Sequence, residues 1–563
     1  MSTEAPVKLT RNEEIKAAIP TVAGAIAAIL ADAGADHFSQ DDYEFLKFHG
    51  CYQQDDRDLR KTGKHYIMMV RSRIPGGVMT ADQWKMFDEL SAKYGNNTLR
   101  LTTRQTIQFH GILKSNLRSV IRGINDCLLS TLAACGDVTR NVTASPTPAY
   151  TLAREQVFAD CRKVAMALAP KTKAYHSIWI DGVQLNLDDA ENKNFVDPLY
   201  GATYLPRKFK TAFAIPPIND IDVFTNDQGY IAIVEDEKLV GYNLAVGGGM
   251  GRSHGNTQTY PRLADVVGFL TPDKLLDVAK AVLTVHRDFS DRTDRKHARL
   301  KYVVQERGAD WVRGEIEKRA GFKLEPARPF RFTTTGDLYG WHRAVDGKWF
   351  LTIFVETGRV KDVEGHHLKT ALRQVAEKFS DIEFRLSANQ NVILANVTEE
   401  DRDAITELLT EHAIKTGLRQ ASALHAAAMA CPALPTCGLA LAESERMLPG
   451  LVDRVEKLCE EVGLAGEEIV IRSTGCPNGC ARPYTAEMAF VGKAPGRYQI
   501  WLGGSLAGTR LSRIWKEVVK ETDLETELRP VLLRYANERF NRESFGDWCD
   551  RVLLNEPANG FSI

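Results

Sequence analysis

An internal repeat constrains this 563-residue chain more than any other feature. The segment LRLTTRQTIQFHGI at residues 99–112 returns in the second half of the chain as FRLSANQNVILANV at residues 384–397. A second pair follows in the same order, with LVGYNLAVGGGMG at residues 239–251 and GRYQIWLGGSLAG at residues 496–508. Self-similar segments in one order indicate a duplicated structural unit. We therefore expect a small half-domain from each copy to pair with its counterpart around a pseudo-twofold axis.

Both copies of the first segment are predicted to be strands, because polar and apolar residues alternate with a period of two. The polar face of the first copy holds mainly donors and cations: Arg100, Thr102, Arg104, Thr106, Gln108 and His110. The aligned face of the second copy loses charge along its length: Arg385, Ser387, Asn389, Asn391, Ile393 and Ala395. The two copies are therefore expected to form one charged and one blander sheet face.

Helical patterns at residues 272–288 and 449–462 alternate with these strands, which predicts a mixed α/β (α+β) fold with three domains. The predicted boundaries place an N-terminal segment at 1–64, paired half-domains at 65–133 and 335–413, a first large module at 134–334 and a second at 414–563. The segment EPARP at residues 325–329 is a plausible linker.

Charge and hydrophobicity exclude several classes of protein. Lys and Arg total 72 against 73 Asp and Glu, so the chain has no global basic excess for nucleic acid and no acidic excess typical of disorder. The apolar run at residues 17–31 is too short to span a membrane, and Pro20 interrupts it. An amphipathic or buried helix fits this run better than a signal peptide, because Glu13 and Glu14 oppose a positive leader. We expect a cytoplasmic protein without a membrane or nucleic-acid partner.

Four of the ten cysteines form a pattern. Cys431 and Cys437 enclose five residues, and Cys476 and Cys480 enclose three, in loops that contain Pro and Gly. Clustered thiols outside a secretory context are typical of metal or cluster ligation in a reducing compartment. Four thiolates suit a 4Fe-4S cluster or Zn²⁺. The five-residue gap favours the larger cluster, since structural zinc pairs usually enclose about two to four residues.

Cationic side chains form a second set. They are Arg71 and Arg73 in MMVRSRIPGGV, Arg100 and Arg104 in the polar strand, Arg140 in VTRNV, and Arg207, Lys208 and Lys210 in YLPRKFK. Lys208 and Lys210 are predicted to share one face of a strand, with Phe209 on the other. This arrangement is unusual for surface lysines but natural if both line an anion cavity. The set predicts a positive interior that requires anions to neutralise it.

These motifs resemble those of a known family. KFHGCYQQDDRDLR at residues 47–60, the 99–112 strand, TRNV, YLPRKFK, CPALPTC and TGCPNGC are together similar to the hemoprotein (beta) subunits of assimilatory NADPH-dependent sulfite reductases. The resemblance covers nearly the whole chain. It implies a duplicated three-domain architecture with ferredoxin-like half-domains, and six-electron reduction of sulfite to sulfide in cysteine biosynthesis. It also implies siroheme and a 4Fe-4S cluster that share one cysteine thiolate.

The resemblance assigns a role to each candidate residue. The cluster ligands would be Cys431, Cys437, Cys476 and Cys480, with Cys480 shared with the siroheme iron. The substrate-binding cations would be Arg71, Arg140, Lys208 and Lys210. The siroheme carboxylates would be bound by Arg100, Arg104, Gln108 and Arg207, with Asn478 near the shared thiolate. The chain departs from the expected pattern at Pro432, Gly438 and the ARPYTAE segment after Cys480.

The resemblance further implies an electron-donating partner, a flavoprotein (alpha) subunit that uses NADPH, which the 1–64 segment would dock. The glycines at residues 247–251 lack the spacing of a dinucleotide-binding loop, so we predict a tight turn there. Three alternatives stay open: a siroheme nitrite reductase, an iron–sulfur dehydratase and a zinc-stabilised binding scaffold. Relative turnover of sulfite and nitrite would decide the first alternative. An absorption spectrum would separate the other two, because siroheme has strong visible bands and zinc has none.

Overall fold

The computed structural model describes residues 8–148, 151–171, 178–180, 183–185 and 196–555. Within these residues the helices are α1 (Arg11–Ala18), α2 (Ile26–Ala31), α3 (Gln40–Phe48), α4 (Ala81–Tyr94), α5 (Leu117–Asp126), α6 (Ala153–Ala167), α7 (Leu275–Phe289), α8 (Leu300–Arg307), α9 (Ala309–Ala320), α10 (Leu368–Lys378), α11 (Glu399–Glu411), α12 (Ala423–Ala426), α13 (Leu448–Glu461), α14 (Leu524–Glu538) and α15 (Phe545–Trp548).

The strands of the first half of the chain are β1 (Cys51–Asp55), β2 (Tyr66–Arg71), β3 (Val78–Thr80), β4 (Leu99–Leu101), β5 (Ile107–Ile112), β6 (Thr143–Ala144), β7 (Ile178–Ile180), β8 (Val183–Leu185), β9 (Thr211–Ala214), β10 (Gln228–Glu235), β11 (Lys238–Val246) and β12 (Asp265–Leu270). Those of the second half are β13 (Gly340–Arg343), β14 (Trp349–Ile353), β15 (Arg359–Val360), β16 (Asp362–Val363), β17 (His366–His367), β18 (Glu383–Leu386), β19 (Val392–Val397), β20 (Ala428–Ala430), β21 (Ile471–Thr474), β22 (Met488–Ala494), β23 (Arg497–Leu502) and β24 (Arg513–Lys520).

Two five-stranded sheets share one topology and pair with each other. Their strand orders are β1-β2-β5-β4-β15 and β13-β14-β19-β18-β3. The edge strands are exchanged, because β15 of the second copy pairs with β4 of the first and β3 of the first pairs with β18 of the second. Trp84 stacks on Phe384 across the two copies at a centroid distance of 4.6 Å. Each sheet is therefore completed by a strand from the other copy.

Two further five-stranded sheets also repeat one another. Their orders are β6-β9-β10-β11-β12 and β20-β21-β22-β23-β24, with the same sequence of parallel and antiparallel neighbours. Thr211 pairs with Gln228, and Ile471 pairs with Met488, so the central strands of the two sheets align in register. The second repeated segment contains parts of β11 and β23, which occupy equivalent places. The duplicated fold predicted from the motifs is present.

Each predicted long strand is instead a hairpin, and this prediction was wrong. Residues 99–112 divide into β4 and β5 around a turn in which Gln105 adopts a φ of 52°. The backbone N–H of Thr102 donates to Thr106 O at 3.0 Å. Gln390, at the equivalent position of the second copy, has a φ of 74°. Because polar and apolar residues continue to alternate through a turn that contains no glycine, the pattern does not distinguish a hairpin from one strand.

The apolar N-terminal run also differs from its prediction, because it does not form one helix. α1 ends at Ala18 and α2 begins at Ile26, with Pro20 between them. Proline removes the amide hydrogen that a continuing helix would use. Ile15, Val22 and Ile26 are buried in the core cluster that joins both half-domains to the first large module. None of the described helices combines the length and hydrophobicity that crossing a bilayer requires.

Candidate active site

A cavity with about 720 Å³ of empty space lies where the first half-domain meets both large modules. Part of this space is open to solvent. Nine of the thirteen predicted site residues line it: Arg71, Arg100, Arg104, Gln108, Arg140, Lys208, Lys210, Cys431 and Cys480. The remaining four, Arg207, Cys437, Cys476 and Asn478, do not line it. The fold therefore brings cations and thiols from three separate parts of the chain to one cavity.

The four cysteines lie close enough to influence one another. Burial raises the pKa of Cys431 well above its usual range, and Cys480, Cys476 and Cys437 add to this effect. Burial and then Cys480 raise the pKa of Cys476 to about 12. Cys480 is the exposed member of the set and faces the cavity. Four such thiols can all ionise only around a positively charged group.

The geometry around the sulfurs fits a 4Fe-4S cluster better than zinc. A tetrahedral zinc ion about 2.3 Å from each thiolate would bring the sulfurs within about 3.8 Å of one another. In the described part of the chain, three metal-binding atoms come within 4.8 Å of one another only at His425, Asp453 and Glu456. The Gly475 backbone N–H and Asn478 Nδ2 donate to cysteine sulfurs, each at 3.4 Å. Such donors are among the features that tune iron–sulfur clusters.

Lys208 and Lys210 both line the cavity. Neither ammonium group makes a hydrogen bond or ion pair with any residue that the structure describes. Phe209 between them is fully buried, so the predicted alternation is present. The predicted strand is not, because Phe209 forms only an isolated bridge with Thr139 and β9 begins at Thr211. Two ammonium groups in this arrangement favour an anion between them.

Burial and neighbouring cations lower the pKa of both lysines. Burial, followed by repulsion from Arg207 and Lys210, lowers the pKa of Lys208 well below its usual value. Burial, followed by repulsion from Arg104, lowers the pKa of Lys210 to about 7. A bound anion would stabilise the charged form of both groups and raise these pKa values.

Arg71 and Arg140 complete the cationic wall. In the amide orientation that satisfies its neighbours, Gln108 accepts a hydrogen bond from Arg71 Nε at 3.1 Å and donates to His110 Nε2 at 3.2 Å. Arg140 Nε donates to Gly136 O at 3.0 Å. These contacts hold both guanidinium groups at the cavity. Gln108 therefore orients a cation in addition to lining the cavity.

Arg100 contacts protein acceptors through three of its N–H groups. Its Nε donates to Glu445 at 3.0 Å, while NH2 donates to Ala430 O at 2.7 Å and NH1 to Leu101 O at 2.6 Å. Burial raises the pKa of Glu445, but Arg100 and Arg359 outweigh it and lower this pKa to about 2. Ala430 immediately precedes the first cysteine. Arg100 therefore fixes the start of the loop at residues 431–437, which holds Cys431 and Cys437 and is called the cysteine loop below.

Arg104 and Arg207 differ in their access to a ligand. Arg104 donates to Asn226 Oδ1 at 2.5 Å and Thr211 O at 2.8 Å, but its buried Nε has no hydrogen-bond acceptor among the described residues. Arg207 lies outside the cavity lining, with NH1 4.0 Å from Asp137 Oδ1. Arg104 is thus better placed than Arg207 to meet a bound carboxylate.

Sequence reasoning missed several residues that shape the site. Asp137 and Asp227 are buried carboxylates that offset part of the positive charge, and Arg299 pairs with Asp227 at 2.8 Å. No sequence pattern singled out these carboxylates. Gln390 also lines the cavity, and its side chain donates to the carbonyl that precedes Cys431 at 2.9 Å. The repeat could have identified Gln390, because it aligns with Gln105 of the first copy.

A second cavity, of about 300 Å³, occupies the equivalent place in the duplicated unit. Four of its lining residues align with cations of the first cavity. Asn389 aligns with Arg104, Ala426 with Arg140, Glu468 with Lys208 and Val470 with Lys210. Asn389 Nδ2 donates to Thr335 O at 2.7 Å, so the segment before β13 also contributes to the lining. Of the two equivalent cavities, the first carries the charge that a large polyanion requires.

Known proteins resemble this chain along nearly its whole length. The family description "Nitrite/Sulfite reductase ferredoxin-like half domain" matches residues 59–127 and 342–412, and "Nitrite and sulphite reductase 4Fe-4S domain" matches residues 160–324. A relative from Staphylococcus saprophyticus, named sulfite reductase (NADPH) hemoprotein beta-component, is 48% identical over 98% of this chain and 97% of its own length. The chain belongs to the nitrite and sulfite reductase family.

Further relatives agree with this assignment. A protein of the same name from Myxococcus xanthus is 48% identical over 97% of both chains. The structure of Mycobacterium tuberculosis NirA has a TM-score of 0.79 at 24% identity, covering 97% of this chain and 96% of that one, so the two share a fold. The resemblance identified from the motifs is confirmed, as is the duplicated α/β architecture.

This family binds siroheme and a 4Fe-4S cluster, which confirms the predicted cofactors. The residues of this chain fit both groups, because four clustered thiols adjoin a cavity lined by two lysines whose ammonium groups have no acceptor among the described residues. The match named for the 4Fe-4S domain ends at residue 324 and does not reach the four cysteines. The assignment of individual ligands therefore stays a prediction, supported by the geometry.

Proposed function

We propose that the chain reduces sulfite to sulfide, in the cytoplasm, as the hemoprotein component of an NADPH-dependent sulfite reductase. One observation carries the proposal: two lysines whose ammonium groups have no acceptor among the described residues share a cavity with Cys431 and Cys480. Such a cavity suits a small oxyanion placed beside a thiolate-bound cofactor. Relatives named sulfite reductase (NADPH) hemoprotein beta-component, 48% identical at nearly full length, support this function.

The reaction divides between the cofactors and the protein. Siroheme and the 4Fe-4S cluster, when bound, would pass on the six electrons that convert sulfite to sulfide, which the NADPH-dependent partner would deliver. Lys208, Lys210, Arg71 and Arg140 would bind the oxyanion and polarise its S–O bonds. Lys210, which would be charged while the anion is bound, is placed at the cavity to give up a proton as an oxygen leaves as water. Its charge would be restored by proton uptake from the solvent that reaches the cavity.

A further part of the proposal concerns the residues that hold the siroheme carboxylates. Arg104 has a buried Nε that faces no described acceptor, which supports a carboxylate contact there. Arg100 and Gln108 line the same cavity but also bind protein groups, so positioning is a second part of their role. Arg207 would act from outside the lining and Asn478 from beside Cys476.

An absorption spectrum of the purified protein, combined with steady-state turnover, tests the proposed function. We expect visible siroheme bands, and sulfite should be turned over with a higher kcat/KM than nitrite. A protein that binds zinc and lacks visible bands would contradict the proposal. A kcat/KM higher for nitrite than for sulfite would instead favour the siroheme nitrite reductase alternative, which the family descriptions also name.

We also propose that a flavoprotein (alpha) subunit delivers electrons at the surface where the 1–64 segment crosses the cysteine loop. The backbone N–H of Arg57 donates to Pro435 O at 3.3 Å, and Asp58 pairs with Arg446 at 2.8 Å. Leu59 and Leu439 are exposed here, at 49% and 65%. Exposed apolar side chains amid charged pairs are typical of a transient interface. An interface at this place would bring an electron donor close to the thiols.

Leu59→Glu and Leu439→Glu should each lower NADPH-driven activity with the flavoprotein by about tenfold, because a buried interfacial charge costs binding energy. Activity with a small-molecule electron donor should not change. Leu418→Glu is the matched control, since Leu418 is 68% exposed elsewhere. Point variants are preferable to removal of residues 1–64, which would also remove β1 from its sheet. Equal loss with both electron donors would contradict this docking surface.

A further inference from the structure

We propose that Arg482 is a positioning residue that fixes Cys480 from the pseudo-twofold axis of the molecule. This inference rests on the function proposed above for Cys480. Arg482 follows that cysteine by two residues and is 5% exposed. It lies in the segment that departs from the expected family pattern, and it lines neither of the two equivalent cavities.

Both copies of the duplicated hairpin bind this one guanidinium group. Arg482 NH1 donates to Thr103 O at 3.1 Å, and NH2 donates to Ala388 O at 3.1 Å. The alignment of the two hairpin segments, 99–112 and 384–397, places Thr103 on Ala388. They therefore occupy equivalent positions in the two half-domains. A group equally distant from two equivalent atoms lies close to the axis that relates them.

A third contact places Arg482 near the same axis independently. The register that aligns the central strands of the two large sheets also aligns Asp222 with Arg482. Both residues have a positive φ, 47° and 53°, and each precedes a short 3-10 turn. Arg482 Nε lies 2.5 Å from Asp222 Oδ2. Two equivalent residues can touch only where the axis passes between them.

Short links connect this guanidinium to Cys480. The backbone N–H of Arg482 donates to Gly479 O at 3.0 Å, which closes the turn around the cysteine. Thr103, whose carbonyl accepts from Arg482, donates through its own hydroxyl to Cys480 O at 3.0 Å. In the second copy Ala388 replaces Thr103 and has no hydroxyl. The Thr103 hydroxyl therefore ties the first hairpin directly to Cys480.

Arg482→Lys should disturb this arrangement, because an ammonium group cannot reach Thr103 O, Ala388 O and Asp222 together. In the holoenzyme we expect the iron content to fall by about half and the EPR signal of the reduced cluster to change shape. Sulfite reduction should fall about tenfold, which is the lower end of the activity losses seen when residues that orient a metal ligand are changed. Arg154→Lys is the matched control, since Arg154 is also 5% exposed but pairs with its neighbour Glu155 in α6.

Thr103→Val keeps the inference testable if Arg482→Lys does not fold. It removes one hydroxyl and should change the same EPR signal to a smaller degree, whereas Thr103→Ser should restore it. An Arg482→Lys protein with wild-type iron content and EPR signal would overturn the inference, and so would an equal loss in Arg154→Lys. If the wild-type protein fails to reduce sulfite while only Arg482→Lys loses iron, the proposed function fails and the positioning role stands.

Discussion

Cys480→Ser should abolish sulfite reduction and alter the spectra of both metal centres at once. Cys480 is the exposed thiol of its set, and it faces the cavity from the end of the CPNGC loop. A serine oxygen is a poor replacement for a thiolate on iron, because iron–sulfur clusters depend on soft sulfur ligands. We expect activity to fall more than about a hundredfold, beyond the loss seen when residues around a metal ligand change.

The measurements for this variant are EPR of the reduced cluster, the visible siroheme spectrum and sulfide production. Cys127→Ser is a suitable control, since Cys127 is a partly buried thiol outside the cysteine set. An intact cluster signal together with an unaltered heme spectrum in Cys480→Ser would refute the shared-thiolate assignment. A change in the cluster signal alone would make Cys480 a cluster ligand without a link to the siroheme.

Lys208→Ala and Lys210→Ala should each keep both cofactors and lose sulfite reduction by roughly ten- to a hundredfold. A hydrogen bond to a charged group contributes on the order of 1.5–3 kcal/mol, and each 1.4 kcal/mol corresponds to about tenfold in rate. Neither ammonium group has a protein acceptor among the described residues, so an external anion is the partner that each would lose.

Cofactor content and sulfide production should be measured in the same preparations of these variants. Lys208→Arg and Lys210→Arg keep the charge and should retain more activity than the alanine variants. If siroheme is lost in step with activity, the lysines balance cofactor carboxylates and do not bind the substrate. Full cofactor content with undiminished sulfide production would remove them from the mechanism.

The duplication could be predicted from the sequence, but the detailed path of the chain could not. Two pairs of motifs recur in the same order, so the repeat was visible without a structure. The turns at Gln105 and Gln390 could not be predicted, because these residues adopt a left-handed backbone conformation that is usually marked by glycine. The exchange of β3 and β15 was also hidden, since pairing between strands so far apart in the chain leaves no local pattern.

At the candidate site, the chemical role of a side chain was easier to predict than the residues it would contact. The cysteine spacing and the two lysines beside Phe209 indicated a cluster and an anion cavity directly. Arg100 was predicted to meet a cofactor carboxylate, yet it also binds Glu445, which is 345 residues away. Such a pairing depends on how distant segments converge, and alternation or spacing carries no information about it.

The exchanged edge strands also affect how the chain folds during synthesis. β4 is complete at Leu101, whereas its neighbour β15 begins at Arg359. At about 5–20 residues per second, the ribosome needs roughly 13 to 50 seconds to make the intervening segment. Throughout that interval β4 presents an unpaired edge, which is a template for pairing with another chain. We therefore expect a nascent chain that ends before Arg359 to expose this three-residue edge to its neighbours on a polysome until β15 emerges.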